Sequence, residues 1–382
     1  MILDVSVYLI VFIITTILVS IYQRYWHGIN IRCGPVVLAA NSGIMHCAMW
    51  IVSMFPIIAM YGLRYGIGTD YFSYEQIYDV LHDASVGDYW SYHGDNVGAY
   101  YVEFLYYLLN VVMPSYTVLQ WGISVFIFVT LYFAVRQYSR EISYPFAIFI
   151  YLTTQFIYSM NGVRFSIALC FLLLAYVALA KDNNRCFFIM IIFASLFHTS
   201  ALFCLPLYFL KEFKNVATNR FRDLGILLFV LFFPALVQYL FEFAADLSVF
   251  ARYFATALYS ASAEMEGGFK WIIHIVPVLL PLIIFCRKEI FSEVDSGIYF
   301  RICLMEIPFR MLGQYNTWFT RYTRCSQIIL VIFIPLILSR VKDRKKRFLL
   351  EAYYVFWYAF YFAYYAIVND QCDSLPYMWI FS

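Results

Sequence analysis

Again and again along this chain an apolar run close to twenty residues long ends at a single basic residue. Residues 3–21 end before Arg24, 117–135 before Arg136, and 163–180 before Lys181. A helix needs about 20 apolar residues to cross the hydrocarbon core of a bilayer. Inside that core every backbone N–H and C=O must find a partner within the protein, which leaves helices or closed barrels. Runs of this length and continuity select helices. The charge content agrees: 63% of the residues are hydrophobic and 13% charged, against about 45–50% and 25% in a soluble domain. The expected fold is all-α, a polytopic integral membrane protein with about 10–12 transmembrane helices. It has re-entrant segments in one topology, an outward-facing cavity, and one transmembrane domain over residues 1–382.

Basic residues orient the spans, because cytoplasmic loops collect Lys and Arg. The first span, 3–21, lacks a basic leader and a small-residue cleavage site and carries Asp4, so it reads as retained. Arg24, His27 and Arg32 place the following loop inside, and the second span, within 36–61, exits at Arg64. From there to Arg136 no Lys or Arg occurs, while Asp70, Glu75, Asp79, Asp83, Asp88 and Asp95 do. An acidic loop without cations belongs outside.

Two topologies compete for residues 99–210. In one, 99–113 dips and returns, 117–135 spans inward, and 144–160 with 163–180 forms a hairpin turning at Asn161-Gly162; 187–210 is then a broken pair with His198 near its tip. In the other, every segment crosses. Charge placement favours the first, which keeps Arg136, Arg140, Lys181 and Arg185 inside. Further on, Lys211, Lys214, Arg220 and Arg222 mark an inner loop, 224–243 spans outward, 244–270 is an outer loop, and 271–286 returns. Residues 298–318 and a span from near Arg321 to Leu338 follow, ahead of the basic run 340–347. The last span is 349–368, and 369–382, without Lys or Arg, is external.

Net charge is +2, so nothing points to nucleic acid. The nine cysteines show neither a Cys-x-x-Cys pair nor metal-ligand spacing, and no metal or other cofactor is expected. Aromatic residues make up 21% of the chain. Interfacial belts account for most of them, while Tyr89, Trp90, Tyr92, Tyr100 and Tyr101 also suit a glycan groove with their flat faces and hydroxyls.

Chemistry therefore has few places to live. Arg64, Arg164, Arg310, Arg321 and Arg324 fall at or in the outer half of spans, against the inside bias of cations. Guanidinium forks hold phosphate oxygens bidentately and keep their charge when desolvated, so the set fits a phosphate-class anion. Arg321 and Arg324, three apart, share one helix face. The plainer readings are snorkelling at helix ends and, for Arg310, a pair with Glu306 one turn back. Asp70 follows Gly66 and Gly68. It is placed to cap a helix over 71–81, the reading favoured by position, or to act as a general base; the roles are compatible. His198 and Glu103 sit in apolar settings, where an ionisable group in a membrane marks function, and Glu103 is expected to pair with one of the arginines.

Five stretches together resemble one family. They are Arg64-Tyr65-Gly66-Ile67-Gly68-Thr69-Asp70-Tyr71 with Tyr74; Glu103; Gly162-Val163-Arg164-Phe165-Ser166-Ile167-Ala168; Phe197-His198-Thr199-Ser200-Ala201; and Arg321-Tyr322. In order and spacing, over about residues 55–340, they are similar to the EpsG-like, Wzy-type bacterial polysaccharide polymerases. Phe165 stands where that family often has Gln, so no role of that Gln carries over.

The resemblance implies a multi-pass protein of the bacterial inner membrane, acting on the periplasmic or external face, that joins O-antigen or capsular repeat units carried on undecaprenyl pyrophosphate. Donor and acceptor are both lipid-linked glycans; membrane lipids and a chain-length regulator protein are further partners, and no metal is required. Arg64, Arg164, Arg321 and Arg324 would hold the pyrophosphate, Tyr71, Tyr74 and Glu103 would complete the substrate-binding set, and Asp70 or His198 would be the catalytic base or position the acceptor. An O-antigen ligase shares the donor but usually carries a larger external loop. A flippase or transporter would show inverted repeats, and none is visible. An acyltransferase built on His198 would need its donor from the cytoplasmic side.

Overall fold

The computed structural model describes residues 2–33, 42–90, 102–213, 270–312, 318–369 and 372–381. Its secondary structure is helical among these residues, apart from one isolated antiparallel bridge between Arg64 and Trp379. The predicted span at 224–243, the outer loop at 244–269 with Arg252, Glu264 and Glu266, and Lys214, Arg220, Arg222, Tyr92, His93, Tyr100 and Tyr101 lie outside the described residues.

Helix α1 (Ile2–Cys33) shows why the bilayer is the solvent. One face, Tyr8, Phe12, Thr15, Val19 and Tyr22, is buried on a heptad-like spacing. The opposite face exposes Ile10, Ile13, Ile14, Ile17 and Ile21, which water would require to be polar. Five helices among the described residues have the length and apolarity to cross a membrane: Val5–Tyr25, Ile44–Gly62, Tyr116–Arg136, Val163–Ala180 and Arg321–Arg340.

The described residues form two compact units. The first holds residues 1–177, 185–202 and 355–382. Here α2 (Ser42–Gly62) lies along both α1 and α5 (Tyr116–Arg136). Trp50 Nε1 donates to Phe128 O at 2.8 Å, and a Cβ at Gly62 would sit 2.5 Å from the Trp121 ring, so the helices close up there only because residue 62 is glycine. Between them in sequence come α3 (Tyr71–Leu81) and α4 (Phe104–Val112). Ser115 caps α5, its side chain accepting from Val118 N at 3.2 Å. Then follow α6 (Tyr144–Thr154), α7 (Phe156–Asn161), α8 (Val163–Ala180) and α9 (Asn184–Ser195), and a 3-10 helix over Thr199–Phe213.

These lengths bear on the two topologies weighed for residues 99–210. The nine residues of α4 rise only about 14 Å, half of the hydrocarbon core, so this helix is too short to cross by itself. The pair at 187–210 is broken at residues 196–198, as the dipping topology requires, and the Asn161-Gly162 turn joins α7 to α8. Gln23 marks one end of this unit, donating to Ile142 O at 2.8 Å and accepting from Tyr144 N at 3.0 Å. At the other end the Tyr61 hydroxyl donates to Ser159 O at 2.9 Å and Tyr116 to Tyr71 O at 3.2 Å.

The second unit holds residues 178–184 and 203–354. It contains α10 (Lys270–Phe285), α11 (Arg287–Ser292), α12 (Val294–Leu304), α13 (Glu306–Leu312), α14 (Trp318–Gln327), α15 (Leu330–Arg340) and the first part of α16 (Arg344–Ala363). Pro281 has no N–H for the carbonyl of Pro277 one turn back; the Tyr353 hydroxyl donates to that carbonyl instead, at 2.8 Å. Arg340 forks onto Asp295 at 3.0 and 3.1 Å. Arg310 pairs with Glu306 at 2.7 Å, the plainer of its two readings, and Gln327 Nε2 donates to the same carboxylate oxygen at 2.6 Å. The predicted return span at 298–318 is interrupted at residue 305, between α12 and α13.

Candidate functional site

The turn after α2 needs its glycines. Gly66 has φ +64° and Gly68 φ +105°, the left-handed region where a side chain is strained. A Cβ at Gly68 would also lie 3.0 Å from Met160 O and 3.3 Å from Asn161 Cα. This close approach lets Asn161 Oδ1 accept from Thr69 Oγ1 at 2.8 Å and from the Asp70 amide at 3.0 Å. The 64–70 turn is thus fastened to the residue that precedes the first turn of α8, where Arg164 stands.

Asp70 occupies the N-cap position of α3, but its side chain makes no cap bond; the backbone amide of Asp70 is spoken for by Asn161, and the carboxylate is exposed. The side-chain capping role favoured by position is therefore not adopted. Tyr71 is buried against Tyr65 and Tyr116, with ring centroids 5.8 and 5.5 Å away. Burial raises its phenol above the ordinary value.

Arg164 Nη1 meets Glu103 Oε2 at 2.7 Å, the pairing expected of Glu103. The other carboxylate oxygen, Oε1, accepts from the Thr199 amide at 3.2 Å, at the start of the 3-10 helix. Glu103 is 5% exposed and anchors three stretches that are far apart in sequence. The Arg164 guanidinium also stands 6.0 Å from the ring centres of both Tyr74 and Tyr106, which pack edge to face at 5.8 Å. The imidazole of His198 lies at the same break, 5.0 Å from the Phe165 ring, so the residue that departs from the family pattern touches it. Its Nδ1 faces the Ser200 hydroxyl at 2.6 Å and accepts from the Ser200 amide at 3.4 Å. An Nδ1 that accepts from a backbone N–H leaves the proton of the neutral ring on Nε2.

Arg64 is different. It is 1% exposed, its guanidinium lies 4.0 Å over the Tyr61 ring, and its hydrogen bond to Tyr61 O is long at 3.4 Å. Nε has no partner, and no carboxylate pairs with it among the described residues. Residues 372–381 cover it: Tyr65 N donates to Met378 O and Ile380 N to Leu63 O, both at 3.0 Å.

The first unit thus brings together Arg64, Asp70, Tyr71, Tyr74, Glu103, Arg164 and His198. Arg321 and Arg324 belong to α14 of the second unit, where Tyr322 between them packs on Phe203 and Phe309 at 4.9 and 5.4 Å. Of the aromatic groove candidates, Tyr89 packs against Phe104 and Tyr107, and Trp90 is exposed. Among the described residues no group of three His, Cys, Asp or Glu stands at metal-binding distance, and the eight cysteines with described side chains form no disulfide. Sequence reasoning missed Asn161 as a clamp and missed Tyr106, whose buried hydroxyl has no partner. One Tyr in so aromatic a chain carries no signal of its own.

Glu75 supplies a pH test. Burial, and then the neighbouring Asp79, raise its carboxyl above the usual value of 4.5. As pH rises through that value the unfolded chain ionises first, so the folded state is penalised progressively up to its own raised pKa. Glu75→Gln is expected to raise the Tm in detergent at neutral pH, with the gain vanishing in acid below the ordinary carboxylate range. A gain independent of pH would contradict this.

Helices apolar on both faces, with a buried arginine–carboxylate node at one end of the first unit, define a polytopic helical membrane protein. The chain belongs to the EpsG family, whose model matches residues 47–379, a stretch that contains every residue of the site. No curated protein and no solved structure matches it. Family membership supports a function in polysaccharide biosynthesis.

Proposed function

We propose that the protein is a membrane glycosyltransferase that polymerises oligosaccharide repeat units carried on undecaprenyl pyrophosphate, on the external face of the bacterial inner membrane. The observation that carries this reading is the convergence of Glu103, Arg164 and His198-Thr199 beside the Arg64–Asp70 turn, within the region matched by the family. An acceptor hydroxyl oxygen attacks the anomeric carbon of the donor. The bond from that carbon to the pyrophosphate oxygen breaks, and the lipid pyrophosphate leaves with the electron pair.

Asp70, exposed and with its carboxylate making no cap bond, takes the hydroxyl proton. His198 positions a hydroxyl through Nε2–H, since its Nδ1 is engaged by Ser200. Arg164 is part-exposed, with 21% of its side chain accessible, so its guanidinium can meet charge developing on the leaving group. Tyr71 and Tyr74 wall the site; Arg321 and Arg324 share one face of α14 and carry the same guanidinium chemistry.

Glycan profiling tests this. Arg164→Ala and Arg321→Ala are each expected to abolish long chains while single-repeat glycans persist. Normal chain-length ladders in both variants would overturn the proposal, and polymer accumulating on the lipid carrier would indicate ligation instead.

A further inference from the structure

We propose that residues 372–381 are a displaceable cover over an anion site at Arg64, and that a phosphate-class anion arriving there lifts them. This rests on the pyrophosphate reading above and adds how that site is opened.

Charge accounting separates the two arginines of the first unit. The charge of Arg164 is answered by Glu103 at 2.7 Å. That of Arg64 meets no carboxylate among the described residues; its neighbours are tyrosines and one long carbonyl contact, although the side chain is almost entirely desolvated. A buried ion is tolerated when it is paired and fully hydrogen-bonded, and is costly otherwise. Nε of Arg64 is buried and unpartnered among the described residues, and so is the hydroxyl of Tyr106, which shares Tyr61 and Tyr116 as neighbours with it. Tyr106 stands within electrostatic reach of Tyr61, Tyr74 and Tyr116, and Arg64 within reach of Tyr61, Tyr71 and Tyr116. A tyrosine-lined cation with spare donors is an incomplete site, and the missing part is an anion that accepts hydrogen bonds.

The same residues show what keeps the anion out. Residues 372–381 lie at the surface, with Asp373, Pro376, Met378, Trp379 and Phe381 exposed, and they meet the rest of the first unit through the backbone pairs at Leu63 and Tyr65, the Tyr377 hydroxyl donating to Met60 O, and the Tyr8 hydroxyl donating to Ser374 O at 2.8 Å. The bridge between Arg64 and Trp379 is isolated, not part of a ladder. Met378 lies over Gly66, its Cε 3.2 Å from where a Cβ would be, and Phe381 is 82% exposed. Surface segments whose backbone hydrogen bonds lie near solvent open at lower free-energy cost than the core. The covered state leaves Arg64 without a counterion, and the uncovered state admits one. A ligand that binds only the uncovered state shifts the population toward it.

The experiment uses the full chain in detergent, with inorganic pyrophosphate as probe, calorimetry for binding and amide hydrogen exchange for residues 372–381 and 60–68. Pyrophosphate is expected to bind and to speed exchange in residues 372–381, and Arg64→Gln to remove both effects. Tyr377→Phe, which strips one bond from the covered state alone, is expected to tighten pyrophosphate binding about fivefold. Binding without faster exchange, or Tyr377→Phe leaving the affinity unchanged, overturns the cover while the anion reading stands. Absence of binding to the wild-type chain overturns the anion reading and the cover with it. Undecaprenyl pyrophosphate is run in parallel: opening at lower concentration than with the inorganic ion assigns the site to the lipid carrier, and an equal response assigns it to the free anion.

Discussion

Glu103→Ala is expected to be the most damaging single change in the first unit, abolishing long-chain product and lowering stability by about 3 kcal/mol. Two losses coincide. Arg164 keeps its charge in a largely enclosed position, its side chain 21% accessible, with its carboxylate gone. The Thr199 amide, at the start of the 3-10 helix, loses its acceptor. Thr199 is exposed, so water can meet its amide and the larger cost falls on the Arg164 charge. Glu103→Gln is expected to fall between, because an amide oxygen can still accept from Thr199 while the countercharge is lost.

A double-mutant cycle with Arg164→Ala separates the two losses. The single changes should couple by about 2 kcal/mol, since each strands the partner of the other. Glu103→Leu combined with Arg164→Leu should recover much of the stability and none of the activity, as apolar replacement of an enclosed ion pair does. Additive effects in thermal unfolding would show that the pair, though within 2.7 Å, does not act as one.

The parts of this site that were legible share one property: they are ionisable groups in apolar runs. Arg164, Glu103 and His198 stand out for that reason, and the expectation that Glu103 pairs with an arginine is met. The glycines of the 64–70 turn were legible because only glycine tolerates their backbone angles. The pair between Arg310 and Glu306 was legible from helical spacing. What stayed hidden depends on non-local contact. Asn161 reads as a turn residue, and nothing local says that its side-chain oxygen holds Thr69 and Asp70 from 92 and 91 positions away. Asp70 looked like a helix cap because the cap position is defined by sequence, whereas its use is decided by side-chain orientation. The return of residues 372–381 onto Leu63 and Tyr65 rests on backbone hydrogen bonds, which carry almost no sequence signature.

Arg64→Met is expected to raise the Tm of the full chain while eliminating long-chain product, and the opposite signs are what make it informative. In this structure the guanidinium contributes little that an apolar side chain of similar length would not. Its hydrogen bond to Tyr61 O is 3.4 Å long, its Nε is unsatisfied among the described residues, and it lies over the face of Tyr61. Against that stands the cost of holding a charge at 1% exposure without a counterion. Exchanging buried ionic groups for well-packed apolar ones stabilises proteins by about 1–4 kcal/mol in favourable cases. A residue retained at such a cost points to use outside the resting state, where strain and unmet polarity concentrate at functional positions. If Arg64→Met instead lowers the Tm, the cation–π contact and the Tyr61 carbonyl bond hold the turn in place, and Arg64 is a structural residue. If it raises the Tm and leaves the chain-length ladder intact, the charge has no part in polymerisation. A raised Tm with lost polymer is the one result that an anion-binding Arg64 predicts and neither alternative does.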